Sequence, residues 1–162
     1  TISPSMDIQI SSNFERLLFE LCDRDGDKVS HLMSDQKTKG GFAVTADQLA
    51  RARKVFAAQS VSETETQATI KAEWERAGEF IDPHTAVGIA AGRACHGGSS
   101  SPLIFLGTAD AAKFPDAVEN ATGSRPKLPD RLSDLFQREE RFDSLPNDLE
   151  AVEAHIAERS NA

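Results

Sequence analysis

Apolar positions fall into short periodic runs separated by polar and glycine-rich breaks, and the period is helical far more often than it is two. Met6 to Ile10 alternates well enough to predict a short strand; Ser12-Asn13 then precedes Phe14, Leu17, Leu18 and Leu21 at helical spacing. Gly26 and the pair Gly40-Gly41 punctuate the next stretch. Thr45-Ala46-Asp47 opens a second helical run through Leu49, Ala52, Val55 and Phe56. In the third, Ser62 and Glu65 have capping-box spacing, and Ala68, Ala72 and Trp74 carry the pattern to a stop at Gly78.

Asp82-Pro83 starts a helix of small residues, Thr85 to Ala94, whose Ala86, Gly88, Ala90, Ala91 and Gly92 permit close approach to a neighbour, the mark of a buried helix. After the loop Gly97 to Ser101 comes Leu103-Ile104-Phe105-Leu106, an all-apolar run of the kind found in central parallel strands covered on both faces, ending at Gly107-Thr108. An Ala-rich helix around Ala111 to Ala121, a connector from Gly123 to Pro129, a helix near Arg131 to Glu139 and an amphipathic helix from Asn147 to Glu158 complete the pattern. There is no internal repeat. Two or three strands are too few for a covered parallel sheet of the usual ~5 to 6. The pattern therefore predicts part of an α/β enzyme, helix-rich with few parallel strands, over a small helical domain with a hairpin.

Composition narrows the function classes. The 162 residues are 39% hydrophobic and 27% charged, as in one globular domain. A net charge of −8 with scattered Lys and Arg gives a nucleic acid no general reason to dock. No apolar run approaches the ~20 residues that span a bilayer, so no membrane partner is expected. Cys22 and Cys95 have no CxxC or Cys/His spacing, which argues against a disulfide framework or zinc and fits a cytoplasmic location. The chain opens without Met, in the middle of an apolar-polar pattern, so a start further upstream is expected.

Three stretches carry candidate chemistry. Asp23-Arg24-Asp25-Gly26-Asp27 has the look of a calcium loop, but Lys28 and Ser34 stand where such a loop needs its Gly and bidentate Glu. A charged turn after a helix is the better reading, and with no H-x-x-x-H pair among His31, His84, His96 and His155, no metal site is expected. Asp82-Pro83-His84-Thr85 puts an acid, an imidazole and a hydroxyl into the first turn of a helix, whose amides favour polar or anionic ligands; equally, Asp82 is simply the N-cap with Pro83 at the first helical position. Thr108 sits where a buried strand meets the next helix, the place where open α/β sheets bind ligands. Its hydroxyl can donate and accept one hydrogen bond, which suits an aromatic ring nitrogen; a capping threonine is the alternative.

Four segments together resemble threonine synthase of the fungal and bacterial branch, nearly end to end. They are Ser3 to Leu18 (SPSMDIQISSNFERLL), Asp82 to Gly88 (DPHTAVG), Leu106-Gly107-Thr108-Ala109 with Ala112 to Val118 (AKFPDAV), and Leu145-Pro146-Asn147-Asp148. The resemblance implies that residues 1–162 are the C-terminal portion of such an enzyme, part of the large domain of a fold-type-II pyridoxal-phosphate (PLP) scaffold. It implies conversion of O-phospho-L-homoserine and water to L-threonine and phosphate. In the family a hydroxyl on the segment matching Leu106-Gly107-Thr108 hydrogen-bonds the cofactor's ring nitrogen, so Thr108 is the cofactor-binding candidate. Asp82 and His84 are candidates to line the active site, and Ser3 to Asn13 is expected near the domain cleft with no role in chemistry.

The Schiff-base lysine, in a Phe-Lys-Asp context, and the glycine-rich phosphate loop belong to the family's N-terminal half. Neither pattern occurs here, and Lys113 in Ala-Lys-Phe is not that lysine. The chain is therefore expected to hold no catalytic residue, to need the N-terminal part as partner, and to be inactive alone. Two other readings stand beside this one. One is a PLP-dependent phospho-lyase releasing 2-oxobutanoate. The other is a non-enzymatic interaction fragment docking through Leu149, Val152, Ala154 and Ile156, a stripe that an ordinary core-facing helix explains more simply.

Overall fold

A computed structural model describes residues 1–8 and 11–160, which divide into two compact units, Thr1–Lys127 and Leu128–Ala162. Among the described residues the first unit holds six α-helices: α1 (Ser12–Leu21), α2 (Gly26–Lys39), α3 (Ala46–Ala52), α4 (Glu63–Ala77), α5 (Pro83–Cys95) and α6 (Pro115–Thr122). The second holds two short 3-10 turns, Asp130–Leu132 and Leu135–Gln137, and α7 (Leu149–Ser160).

The helices begin and end where local chemistry satisfies their orphan backbone groups. Ser62 and Glu65 form a reciprocal capping box at the start of α4, and Gly78, with φ 68°, closes the other end in the left-handed conformation. Thr45 and Gln48 do the same for α3. That helix stops at Ala52, short of the expected run, leaving Val55 and Phe56 exposed.

The sequence pattern missed α2. Its 14 residues present only scattered apolar side chains, none of them buried, so there is no stripe for periodicity to detect. Its ends hold it instead: the Asp25 carboxylate accepts from the Lys28 amide at 3.1 Å, and Gly40 closes the C-terminus at φ 78°. The charged run is thus a turn, Cys22 to Arg24, followed directly by an N-cap. Asp23 pairs with Arg51 at 2.8 Å, and that guanidinium also donates to the carbonyls of Glu20 and Leu21, tying α3 to the end of α1.

The core of the first unit lies where α4 packs against α5 and α6. Ile70, Ala86, Ala111 and Val118 meet there, flanked by Phe80, Ile81 and Ala121. Trp74 stacks on Phe80 at 4.2 Å between ring centres. Buried Glu73 bonds Arg76 of its own helix at 3.0 Å and Arg93 of α5 at 2.7 Å, a charged strap across the α4 and α5 packing.

Several expectations need correction. The described residues contain helices and no strand. Leu103 to Leu106 has no ladder and no regular secondary structure, and Ile104 and Leu106 are 81% and 79% exposed rather than covered on both faces. A strand exists only through its neighbours, and none stands beside this segment among the described residues. Of the predicted strand Met6 to Ile10, residues 4 to 7 form a turn and bend, and Gln9 and Ile10 lie outside the described residues. The single helix expected over Ala111 to Ala121 is a 3-10 turn, Ala111–Lys113, followed by α6. Phe114, preceding Pro115, is steered out of helical geometry, with φ −128° and ψ 51°. The helix near Arg131 to Glu139 is two 3-10 turns. In α7 no residue is fully buried: Leu149 and Ile156 are exposed, and Ala151, Val152 and His155 are half-buried.

Candidate functional site

The first turn of α5 is built around Asp82. The residue before a proline favours extended backbone, and so does an N-cap; Asp82 has φ −77° and ψ 160°, with Pro83 at the first helical position. Oδ1 of Asp82 accepts from the amide of His84 at 2.9 Å, from that of Thr85 at 3.4 Å and from the His84 ring Nδ1 at 2.9 Å. Oδ2 accepts from the Thr85 hydroxyl and from the Ala109 amide at 3.3 Å. One carboxylate, 1% exposed, thereby joins the helix start to the Gly107–Ala109 segment.

Burial pushes the Asp82 carboxyl up, but the hydrogen bonds from Thr85 and His84 outweigh it and hold the group below its ordinary value of 3.8. The helix amides that could have attracted an external anion are already spent on Asp82.

Thr85 passes the connection on. Its Oγ1 accepts from the Thr108 amide at 3.0 Å and lies 3.2 Å from the Thr108 hydroxyl oxygen. Thr108 itself is exposed, so its hydroxyl stands at the surface on a foundation that is buried. His84 is engaged at both ring nitrogens: Nε2 accepts from the Ser5 amide at 3.2 Å, which leaves the proton on Nδ1, facing Asp82. Its ring packs on Phe114 at 4.6 Å between centres, tilted by 58°.

Ser3-Pro4-Ser5, Asp82 to Thr85, Thr108-Ala109 and Phe114 therefore converge on one point, although they are spread over more than a hundred positions of sequence. Asp82 and Thr108, singled out by sequence, are joined through Thr85. His84 sits beneath them, on the far side of Asp82. Sequence reasoning gave no separate role to Thr85, nor to the Ala109 amide and Phe114. The available signal was a hydroxyl three residues after the N-cap, where it can meet both the cap and a neighbouring loop. Asp148, in the second unit, caps α7 by accepting from the Ala151 amide at 2.9 Å.

A separate open cavity of about 440 Å³ is lined by Ser3, Met6, Asp7, Ser62, Glu63 and Val87 among others. None of Asp82, His84 or Thr108 borders it, and one of its two carboxylates, Glu63, already accepts from the Ile2 amide at 2.9 Å. The candidate residues singled out by sequence therefore gather at the buried relay and not at this cavity. Among the described residues no cluster of His, Cys, Asp and Glu is arranged to hold a metal, and no helix is long and apolar enough to cross a membrane.

A helix-start carboxylate that holds a loop hydroxyl at the surface is the candidate site of this chain. Comparison with known proteins supplies its setting. Residues 85–156 match the family described as "Threonine synthase, C-terminal". Threonine synthase of Pseudomonas aeruginosa is 46% identical over 99% of this chain and 34% of its own length; that of Saccharomyces cerevisiae is 36% identical over 98% and 35%. Among solved structures, PLP-bound threonine synthase from Brucella melitensis superposes with a TM-score of 0.86 at 46% identity, covering all of this chain and 35% of that one. Yeast threonine synthase superposes at 0.80 and 36% identity, over 99% of this chain and 36% of that one. Over 98% or more of its length the chain is similar to threonine synthases. It spans about a third of the length of the relatives it matches.

Proposed function

We propose that this chain forms the C-terminal part of a PLP-dependent threonine synthase of fold type II, which converts O-phospho-L-homoserine and water to L-threonine and inorganic phosphate. The observation that carries the reading is the exposed hydroxyl of Thr108, fixed through Thr85 to the buried Asp82 in a chain similar along its whole length to threonine synthases. Bound PLP would act as the electron sink for charge developing on substrate carbon.

A hydroxyl held from behind and open in front fits an aromatic ring nitrogen, because it supplies one donor and one acceptor at a fixed place. Thr108 makes that contact. Asp82 and His84 border the site from beneath: Asp82 holds Thr85 and the Ala109 amide, and His84 anchors the Ser3 to Ser5 segment to α5. The Schiff-base lysine and the phosphate-binding loop come from the N-terminal part, which is this chain's partner. Free Cys22 and Cys95 fit a cytoplasmic enzyme.

The test is a PLP absorbance spectrum and a phosphate-release assay on O-phosphohomoserine, with this chain alone and as part of the full-length protein. The full-length protein should form threonine, Thr108→Val should weaken cofactor binding, and the chain alone should do neither. Covalent cofactor binding and turnover by the chain alone would overturn the assignment of the lysine to the N-terminal part. Release of 2-oxobutanoate in place of threonine would favour a phospho-lyase.

A further inference from the structure

The second unit, Leu128–Ala162, has no core of its own. None of its described residues is buried. Phe136 and Phe142 are 84% and 73% exposed, and Leu135, Leu145, Leu149 and Ile156 are exposed as well. Burial of apolar surface is what offsets the entropy of ordering a chain, so a unit of this kind takes its core from a surface outside itself.

The backbone around the two phenylalanines is nevertheless braced. Arg138 reaches back to Asp134 at 2.6 Å and to the Arg131 carbonyl at 3.4 Å, closing the turn Leu135–Gln137 that carries Phe136. Asp143, next to Phe142, is held from α7 by Arg159 and lies 3.7 Å from the His155 ring. Exposed ion pairs contribute little to stability. What these do is fix where two aromatic side chains stand, which is the preorganisation that the anchors of an interface need.

We propose that Phe136 and Phe142 anchor an intramolecular interface, which docks the second unit on the part of the same polypeptide that precedes Thr1. The proposal rests on the reading of this chain as the C-terminal part of a longer enzyme. The matched region is 34% and 35% of the length of two relatives, so most of such a polypeptide lies outside the residues described. A covalent tether holds that part at an effective concentration far above that of a second copy in solution. Charge points the same way. The second unit carries nine Asp and Glu against four Arg, so two copies of this face repel, and the surface it fits is apolar with a basic rim.

In the test, Phe136 or Phe142 of the full-length protein is replaced by p-benzoyl-L-phenylalanine, the dilute protein is irradiated, and the products are sized and mapped by peptide mass spectrometry. The expected product has the mass of one chain and joins the probe to a peptide preceding Thr1. A product of twice the mass makes the occupant a second copy, a link only to residues 1–127 makes it the first unit, and a probe that finds no protein partner leaves the face uncovered. Each of these overturns the proposal.

Hydroxyl-radical footprinting of the unsubstituted full-length protein guards against a probe that disturbs folding. Phe136 and Phe142 should oxidise several-fold more slowly in the native than in the urea-unfolded protein, and dilution should not change this. Equal rates, or protection lost on dilution, overturn the docking. Threonine formation is assayed on the same samples. Docking without threonine removes the proposed reaction and leaves the interface standing, whereas threonine formed with both phenylalanines in solvent removes the interface alone.

Discussion

Gly92, in the interior of α5, is the position where packing and helix propensity oppose each other most directly. A Cβ added there would lie 2.8 Å from Cε1 of Phe105 and 3.5 Å from its Cδ1. Carbon atoms rest at about 3.5–4.0 Å, so the ring must retreat by roughly 0.7 Å or more. Gly88, one turn earlier on the same helix, is exposed and has open space around its would-be Cβ. Gly88→Ala should therefore show the bare propensity gain of about 0.5–1 kcal/mol.

Gly92→Ala has the same gain set against overpacking that costs about 1–3 kcal/mol. Phe105 is half-buried and has solvent on one side, while the Arg93 guanidinium lies 5.9 Å from its centre on another, so the lower end of that range applies. The two alanines should then differ by about 1 kcal/mol, with Gly92→Ala close to neutral. Urea unfolding followed through Trp74, the one tryptophan and stacked on Phe80, reads the unit in which both glycines lie. In a Phe105→Ala background the difference should vanish. If Gly92→Ala stabilises as much as Gly88→Ala, and the double-mutant cycle with Phe105 shows no coupling, the close approach of the 102–108 segment to α5 is wrong.

Other outcomes rest on the same geometry. Ile70→Ala, at a wholly buried point between α4, α5 and α6, should cost about 2–5 kcal/mol in the same assay. Ser62→Ala removes one half of the α4 capping box and should cost about 0.5–2 kcal/mol, with Ser62→Asp far milder. Glu73 is held below its ordinary value of 4.5 by the hydrogen bond from Arg76, against burial, with Arg93 adding to the effect. Asp82 is also lowered. A carboxyl with a depressed folded-state pKa binds fewer protons folded than unfolded. Its stabilisation is complete above the unfolded value and is lost as pH falls through the folded one, so the urea midpoint should decline from about pH 5 downward. Glu73→Gln should flatten that decline, and an unchanged slope would remove Glu73 from the explanation.

The elements legible in the sequence were those with their own local signals. Ser62 with Glu65 marked α4, Asp82-Pro83 marked α5, and an apolar face at Leu18 and Leu21 marked α1. Helix α2 was illegible because its stability comes from Asp25 and Gly40 at its ends, while its middle has no face for a core. Leu103 to Leu106 was misread for the opposite reason: its apolar content promised a covered strand, but a ladder is a property of neighbours and no single segment encodes it. Asp82 and Thr108 stand out in the sequence as candidates, and their connection does not. Nothing in the spacing of Thr85 and Thr108, 23 positions apart, says that their oxygens lie 3.2 Å from each other.

The uncovered segment at Leu103 to Leu106 also governs how the chain behaves in company. A segment without ladder partners, carrying Ile104 and Leu106 into solvent and no charge between Leu103 and Leu106, offers another copy of itself a place to pair. Association at high concentration is the expected outcome, checked by light scattering, with the net charge of −8 slowing the encounter. Ile104→Lys should reduce that association, because it puts a charge where the next strand would have to pair.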